Sequence, residues 1–552
     1  MTSERTATAT VDAIVIGGGH NGLVAAAVLA DSGWDVIVLE AQPELGGAVR
    51  SAELVPGFVI DLYSAFYPLS AVSPAIRGLD LEQHGLQWSH APVVLGHPLS
   101  SSDENAPVIL RDSHETAALL AQRDPRDGET WLRLVEQWRT IREPLLSALF
   151  SPFPPVRSAV ALVRAIGTAD AVRLARFLML PASVMARELF HDDAGRILFL
   201  GNAMHSDVPP DAPGSGVMGY LLTMLAQDGG YPVPVGGAAQ LTAALAARAR
   251  YGGAQLRCNE EVVAIGVRGG RAVSVRTAGG TTLTARRAIV ADVSAPILYT
   301  NLLPRESIPP RLLDDIKNFA WDTPVLKVNY ALDSAVPWRS ENLRGAGTVH
   351  VGADPRELVH WMADLSTEVV PEKPFMLFGQ MTTADRTRSP AGTESAWAYT
   401  HLPRNVIDDA SADLLAGRVD DVLESYAPGF ASHVVGRVVQ RPRDLEASDA
   451  NLHGGAVNGG TAQLQQQLIF RPIPGTGRAE TPVDRLYLGS ASAHPGGGVH
   501  GMCGFNAAHA ALKADGARGW PRRRINRSIT KLMNKQRSTP ADRQLPAVDE
   551  GV

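Results

Sequence analysis

Asp12-Ala13-Ile14-Val15-Ile16, followed at once by Gly17-Gly18-Gly19-His20-Asn21-Gly22, constrains this chain more than any other stretch. The first five residues are almost wholly apolar and rich in β-branching, as in a strand buried on both faces of a parallel sheet. Leu23–Ser32 then reads as an Ala/Leu/Val helix stopped by Gly33, and Asp35–Leu39 as a second buried strand ending at Glu40. Strand, Gly-x-Gly-x-x-Gly turn, helix and strand together make one βαβ unit of a Rossmann-like α/β fold. In that turn Gly17 permits the tight reversal. Gly19 lets backbone N–H groups approach a pyrophosphate, and Gly22 lets the helix pack close to the strand. The helix N-terminus adds unpaired donors and a positive dipole end. Glu40 lies 18 residues past Gly22, where a carboxylate accepts from ribose hydroxyls and repels a 2′-phosphate. The unit predicts a dinucleotide site that rejects NADP(H).

With 552 residues there is mass for two to four domains at about 150 residues each. Apolar residues make up 45% and charged residues 20%, the balance of a globular chain with ample core. Only Cys258 and Cys503 are present, which excludes a disulfide scaffold, a CxxC redox pair and a cysteine-rich zinc module. No run of 18 apolar residues offers a membrane span. Met1–Val11 lacks the features of a secretory or transit segment, so a cytoplasmic protein is expected. Net charge is −6, but Arg518–Arg537 holds eight basic residues and no acid; without them 43 basic residues face 57 acids. So acidic a body argues against a nucleic-acid groove.

Farther along, Pro and Gly punctuate residues 56–130, and Glu143–Ala203 looks mainly helical, with breaks at Pro154-Pro155 and Pro181. The apolar stretch 145–225 reads either as the lining of a tunnel for a polyene or lipid, or as ordinary helical core. Ala238–Arg250 predicts a helix. Val262–Val267, Ala272–Thr277, Thr282–Ala285 and Ala288–Ala291 predict short strands, and Pro324–Leu332 a half-buried one. Leu486–Leu488 predicts a last strand, followed by a Gly-rich turn and a helix from about Asn506.

Further motifs sharpen the nucleotide reading. Glu44-Leu45-Gly46-Gly47-Ala48-Val49-Arg50 places a double glycine just after the ribose acid. Val262-Val263-Ala264-Ile265, Leu486-Tyr487-Leu488-Gly489-Ser490, His494-Pro495-Gly496-Gly497-Gly498-Val499 and Gly504-Phe505-Asn506-Ala507-Ala508 follow in order. Over residues 12–515 this set resembles the FAD-dependent superfamily of phytoene desaturases and amine oxidases. The nearest branch is the phytoene-dehydrogenase-related one that includes the pyridine nucleotide-disulphide oxidoreductase domain-containing protein 2 group. The resemblance implies non-covalent FAD, with Gly46, Gly47 and Arg50 in a second flavin-contacting segment. It implies that Val262 reads the adenine edge through its backbone, and that Gly489, Ser490, Gly497, Gly498 and Val499 form a C-terminal flavin segment. Three tandem glycines let the chain pass close to a flat ring, and the following helix points its positive end at the flavin's pyrimidine edge.

The chain departs from the family's habits in three places. Ala48 stands where amine oxidases carry Arg, with Arg50 as a partial substitute. Ser490 replaces a ribityl-binding acid. Cys503 falls beyond the glycines, reads as a small buried hydrophobe, and leaves no covalent-flavin cysteine. No second nucleotide fold is evident, so electrons are expected to leave to oxygen, a quinone or another acceptor. His494 either bonds the flavin or caps its turn.

The implied architecture is a discontinuous FAD domain (residues 12–95, 226–310 and 480–517) interleaved with an α+β substrate domain (96–225 and 311–479) and followed by a basic tail (518–552). The implied reaction is hydride removal from a small hydrophobic molecule. An amine or amino-acid oxidase and a regulatory flavoprotein are the alternatives. No catalytic side chain and no metal ligand is assigned; His205, His360 and Lys327 read as structural. In the tail, Ile525, Ile529, Leu532 and Met533 recur at helical spacing among arginines. That suits either peripheral contact with an anionic membrane or a solvated terminus.

Overall fold

Strand Thr10–Ile16 is the axis of the first sheet. The computed structural model describes residues 10–533 and gives this strand parallel partners on both sides, Val36–Leu39 and Thr282–Ala291. Gln255–Arg257 extends the sheet beyond the first partner, and Leu486–Leu488 pairs in parallel with the second. Two antiparallel strands, Arg271–Thr277 and Val262–Arg268, complete it. In register, Ile16 lies opposite both Leu39 and Ala291, and Ala291 lies opposite Leu488. Four parallel strands therefore stop at one level, and Gly17, Glu40, Asp292 and Gly489 open side by side at their carboxyl ends. Ligands of open α/β sheets bind in that crevice.

Thr282–Ala291 is one strand of ten residues where the sequence pattern suggests two. Arg286 and Arg287 interrupt its apolar run because both turn outward to Asp12, at 2.9 and 3.3 Å. The first helix spans His20–Asp31, starting three residues before the expected Leu23, with Gly19 as its N-cap. The last helix of this unit likewise begins early, at Met502 after Gly501. The two helices cross where the later one has no room for a side chain: a β-carbon at Gly504 would stand 1.9 Å from the Asn21 carbonyl oxygen. That crossing ties the end of the chain to its beginning.

The second sheet also has seven strands, ordered Val434–Gln440, Val325–Leu332, Glu394–His401, Met376–Gln380, Ala346–Val351, Val93–Gly96 and Val108–Ile109. Val325–Leu332, expected to be half-buried, is buried along its whole length. Strands flank it on both edges, and helix Asp409–Tyr426 and the hairpin Ser51–Asp61 pack on it.

Neither reading of stretch 145–225 holds throughout. Helices Asp193–Ala203 and Ser215–Asp228 are core. Helix Val156–Met179, broken at Gly167 (φ +79°), instead lies on the surface and buries only Ser158 and Leu174. Its Val156, Val160, Val163, Val172 and Met179 are exposed. Among the described residues no helix is long and apolar enough to cross a membrane.

Gly504→Ala should destabilise the protein by roughly 3 kcal/mol, because the backbone of the first helix must move. Gly33→Ala, at φ +78° with nothing within 4 Å, should cost only about 1 kcal/mol of backbone strain. Urea titration of both variants checks the contrast.

Candidate nucleotide-binding site

The crevice at the strand ends is a cleft lined by Gly17, Gly19, Glu40, Gly47, Arg50, Val262, Asp292, Asp449, Asn451 and Ser490, among others. Seven of the positions singled out from sequence therefore share one wall-to-wall space. Gly22, Gly46, Gly489, Gly497, Gly498 and Val499 are not part of its lining.

Each glycine in the first loop has a different reason to be there. Gly17 adopts φ +95°, and a β-carbon on it would meet the Asp292 carbonyl oxygen at 2.7 Å. Gly22 would meet the Gly17 carbonyl oxygen at 2.1 Å, which is the close helix-to-strand packing the motif predicts. Gly19 is different: a β-carbon there meets only the Asp292 carboxyl, at 3.0 Å, and otherwise faces the cleft. Apart from that carboxyl, the space beside Gly19 opens to the cleft and suits a group that approaches the backbone closely. Gly18, which the motif leaves free, is also constrained, since a β-carbon would lie 2.5 Å from Leu45 Cδ2.

Glu40 is buried at the end of its strand. Its carboxylate accepts from the N–H groups of Gly18 (2.6 Å) and Gln42 (2.8 Å), which holds the glycine loop against the second strand. The double glycine docks onto that loop: Gly46 N–H donates to the Gly18 carbonyl at 2.9 Å, and a β-carbon on Gly47 would sit 3.2 Å from Gly19 Cα. Arg50 fastens the segment from behind. It donates to the Gly47 carbonyl, to Glu44, to the Tyr63 hydroxyl and to the Ser448 carbonyl. Arg50 is thus a cleft-lining strut between chain segments nearly 400 residues apart.

The third wall escaped the sequence reading. Residues 448–452, with Val457 and Gly459, line the cleft, and Asn451 bridges two backbone groups, accepting from Ser294 N–H (2.8 Å) and donating to the Asp292 carbonyl (3.1 Å). The only signal in the sequence was a Gly- and Asn-rich run without periodicity. Asp292 escaped as well. Its Oδ2 accepts from Gly22 N–H at 2.7 Å, so a carboxyl sits on the third amide of the first helix. Burial, with Asp449 and Glu40 nearby, pushes its pKa up to about 8 despite that hydrogen bond.

The C-terminal glycine loop passes between other segments. Gly497 leaves no room for a β-carbon beside the Asn458 backbone, 3.0 Å away, and Gly498 (φ +120°) abuts Leu69. Val499 accepts at its carbonyl from Ser70 Oγ. His494 Nε2 contacts the Ser151 carbonyl oxygen at 2.9 Å, so it ties the loop to the end of helix Pro125–Phe150. Cys503 is buried, and desolvation pushes its thiol up to about 12, fitting a small core residue.

His205, Lys327 and His360 lie outside the cleft lining. His205 meets His350 across 3.0 Å, and desolvation pulls it down to about 4. His360 is exposed. Lys327 is buried, donates to the carbonyls of Asp61 and Tyr63, and lies 5.3 Å from the Trp397 ring centre. Desolvation lowers it to about 7, overcoming the attraction of nearby Asp61.

A crevice at the switch point of a parallel sheet, with a glycine loop, a strand-end acid and a C-terminal glycine segment, defines a dinucleotide-dependent flavoprotein fold. The sequence profile of flavin containing amine oxidoreductases matches residues 22–508, and the chain belongs to that family. It is an FAD-dependent oxidoreductase. Pyridine nucleotide-disulfide oxidoreductase domain-containing protein 2 of Rattus norvegicus is 29% identical over 545 residues, covering 90% of this chain and 92% of that protein. Hydroxyneurosporene desaturase of Cereibacter sphaeroides is 26% identical, covering 90% and 96%. Among solved structures, an oxidoreductase from Methanosarcina mazei shares the fold, with a TM-score of 0.60 at 15% identity, over 91% of this chain and all of that one.

Asp292 generates a pH prediction. A carboxyl whose folded pKa is raised stabilises the fold fully below the ordinary carboxylate range and loses that contribution as pH rises through about 8. The apoprotein should therefore lose thermal stability as pH rises from the ordinary carboxylate range to about 8, with no further loss from this group above that, and Asp292→Asn should lose less over the same interval. Equal slopes of melting temperature against pH in the two proteins would contradict this.

Proposed function

We propose that the chain removes hydride from a carbon centre of a hydrophobic, hydrocarbon-like substrate, with FAD held non-covalently in the cleft described above. The observation that carries the cofactor assignment is the position of Gly19: a β-carbon on Gly17, Gly18 or Gly22 would overlap a protein atom at 2.7 Å or less, whereas on Gly19 it would touch only the Asp292 carboxyl, at 3.0 Å, and otherwise face the cleft. In this reading Gly17, Gly19 and Gly22 present the first helix's N-terminus to the pyrophosphate. Glu40 serves the ribose and Val262 the adenine. Gly46, Gly47 and Arg50 support the flavin side, Gly489 and Ser490 close it, and Gly497, Gly498 and Val499, outside the lined space, carry the loop behind it. FAD supplies the hydride acceptor. The protein's own contribution is orientation and a dry environment.

The domain division follows from the same reading, with residues 12–95, 226–310 and 480–517 carrying the cofactor and 96–225 and 311–479 the substrate. Strand Val93–Gly96 straddles the first of those borders and pairs within the second sheet. A hydrophobic substrate is favoured by the likeness to hydroxyneurosporene desaturase along 90% of the chain. A membrane is then the natural reservoir for the substrate. The family description also leaves an amine as the alternative.

Two measurements test the reading. Gly19→Val should yield colourless, folded protein, because the side chain fills the space beside the backbone; a yellow variant would refute the assignment. Anaerobic mixing of the holoprotein with polyenes, amines and acyl compounds should bleach the flavin only with the first. Bleaching by amines would favour an oxidase, and no bleaching by any class a non-catalytic flavoprotein.

A further inference from the structure

We propose that the face formed by helix Val156–Met179, the loop 464–470 and helix Trp520–Met533 docks on an anionic lipid bilayer. This rests on the reading that the substrate is hydrophobic only for its purpose; the surface itself is argued from geometry and charge.

The three segments are distant in sequence but adjoin in space. Phe153, just before the first helix, donates from its N–H to the Gly477 carbonyl at 3.0 Å, and Arg478 Nε returns a bond to the Phe153 carbonyl at 3.0 Å. At the helix's other end, the Met179 carbonyl accepts from Gly214 N–H, and Gly214 lies against Leu464. Met533 packs over Gly475, and Pro152 and Arg522 line one small cavity. The loop between residues 464 and 478 is therefore the hub that both helices reach.

What this face shows to solvent is unusual. Val172 is 67% exposed, Met179 66%, Leu532 71% and Ile525 57%, while Leu464, Leu468 and Phe470 are each about half exposed. Large apolar side chains exposed on segments that meet at one loop mark an interaction site. Basic groups accompany it. Helix Val156–Met179 carries Arg157, Arg164, Arg173 and Arg176, the last two paired with Asp170 and Glu188, and helix Trp520–Met533 carries five basic residues and no acid. Arg522 and Arg527 bind Glu480 and Asp484, which fixes the terminal helix to the body. Arg157 and Arg164 have no carboxylate partner among the described residues. Lys535 and Arg537 lie outside the described residues.

Charge selects the occupant. On a chain of net charge −6, a basic and apolar face complements anionic head groups above acyl chains. A second copy in a two-fold dimer would bring two arginine-rich faces together, which is unfavourable. The position of the face also suits delivery to the cleft. Ser151, two residues before Phe153, bonds His494 of the C-terminal glycine loop, and Phe470 precedes Arg471, whose guanidinium backs Gly496.

The test is flotation of full-length holoprotein with phosphatidylcholine vesicles, with and without phosphatidylglycerol, at low and high salt. The protein should float with the anionic vesicles at low salt and be weakened by high salt. The double variant Arg157→Glu, Arg164→Glu should bind at least about tenfold more weakly at about 1 kcal/mol per basic residue. Val163→Asp with Val172→Asp should also bind more weakly. All these positions are exposed, so flavin absorbance and melting temperature should be unchanged. Absence of flotation on anionic vesicles, or full binding by both variants, would overturn the proposal. So would a wild-type dimer in solution that the valine variant dissociates. Retained flavin and bleaching in the presence of such a result would leave the oxidoreductase reading standing while the docking surface falls.

Discussion

The structure depends on how closely backbone can approach backbone at the carboxyl ends of four parallel strands. Ile16, Leu39, Ala291 and Leu488 share one level, and the residues after them must turn away without colliding. Gly17 turns against the Asp292 carbonyl, Gly22 against the Gly17 carbonyl, and Gly504 against Asn21. At these contacts a hydrogen is the largest substituent that fits. The cleft exists because the chain could be folded that tightly around it; even one added methyl group on such a surface forces rearrangement worth roughly 1–3 kcal/mol.

Buried polar groups then hold the loops that no regular element supports. The Asp322 carboxylate accepts from the N–H groups of Val457, Asn458 and Gly460, and Asp207 accepts from Thr461 and Ala462. Arg471 gathers the carbonyls of the same stretch and that of Ala491. These bonds fix the third wall of the cleft against the segment that leads to the C-terminal glycines. Each is worth about 1 kcal/mol net, but removing a charged member strands its partners in the interior and costs several times that. The ion pair of Asp61 and Arg388, at 2.9 Å and fully buried, plays a comparable part between the hairpin Ser51–Asp61 and the second sheet.

The second sheet and its helices serve a different need. Their apolar residues are divided between a dry core and one uncovered face. Asp193–Ala203 and Ser215–Asp228 bury almost every side chain, whereas Val156–Met179 touches the body along a narrow line. Helices of similar composition therefore have opposite fates, decided by what lies beside them. An apolar surface that persists in a folded chain carries a free-energy cost of about 25 cal/mol per Å² left in water, which association with lipid removes.

The sequence by itself determined the first βαβ unit, the class of ligand it accepts and the order of the glycine segments, because each rests on spacing within a short stretch. Gly17, Gly19, Glu40, Gly47, Arg50, Val262 and Ser490 were legible in this way and share one cleft. Tertiary structure decided what depends on chain segments far apart. Asp292 meets Gly22 across 270 positions, and Asn451 reaches Asp292 and Ser294 across more than 150; neither contact leaves a local pattern. The outward turn of Arg286 and Arg287 hid a continuous strand, and burial on both faces of Val325–Leu332 hid behind its alternation. Most of all, periodicity states which face of a helix is apolar but not whether protein covers it. Whether valines such as those of Val156–Met179 end in a core, a tunnel or water is settled only when the rest of the chain has taken its place.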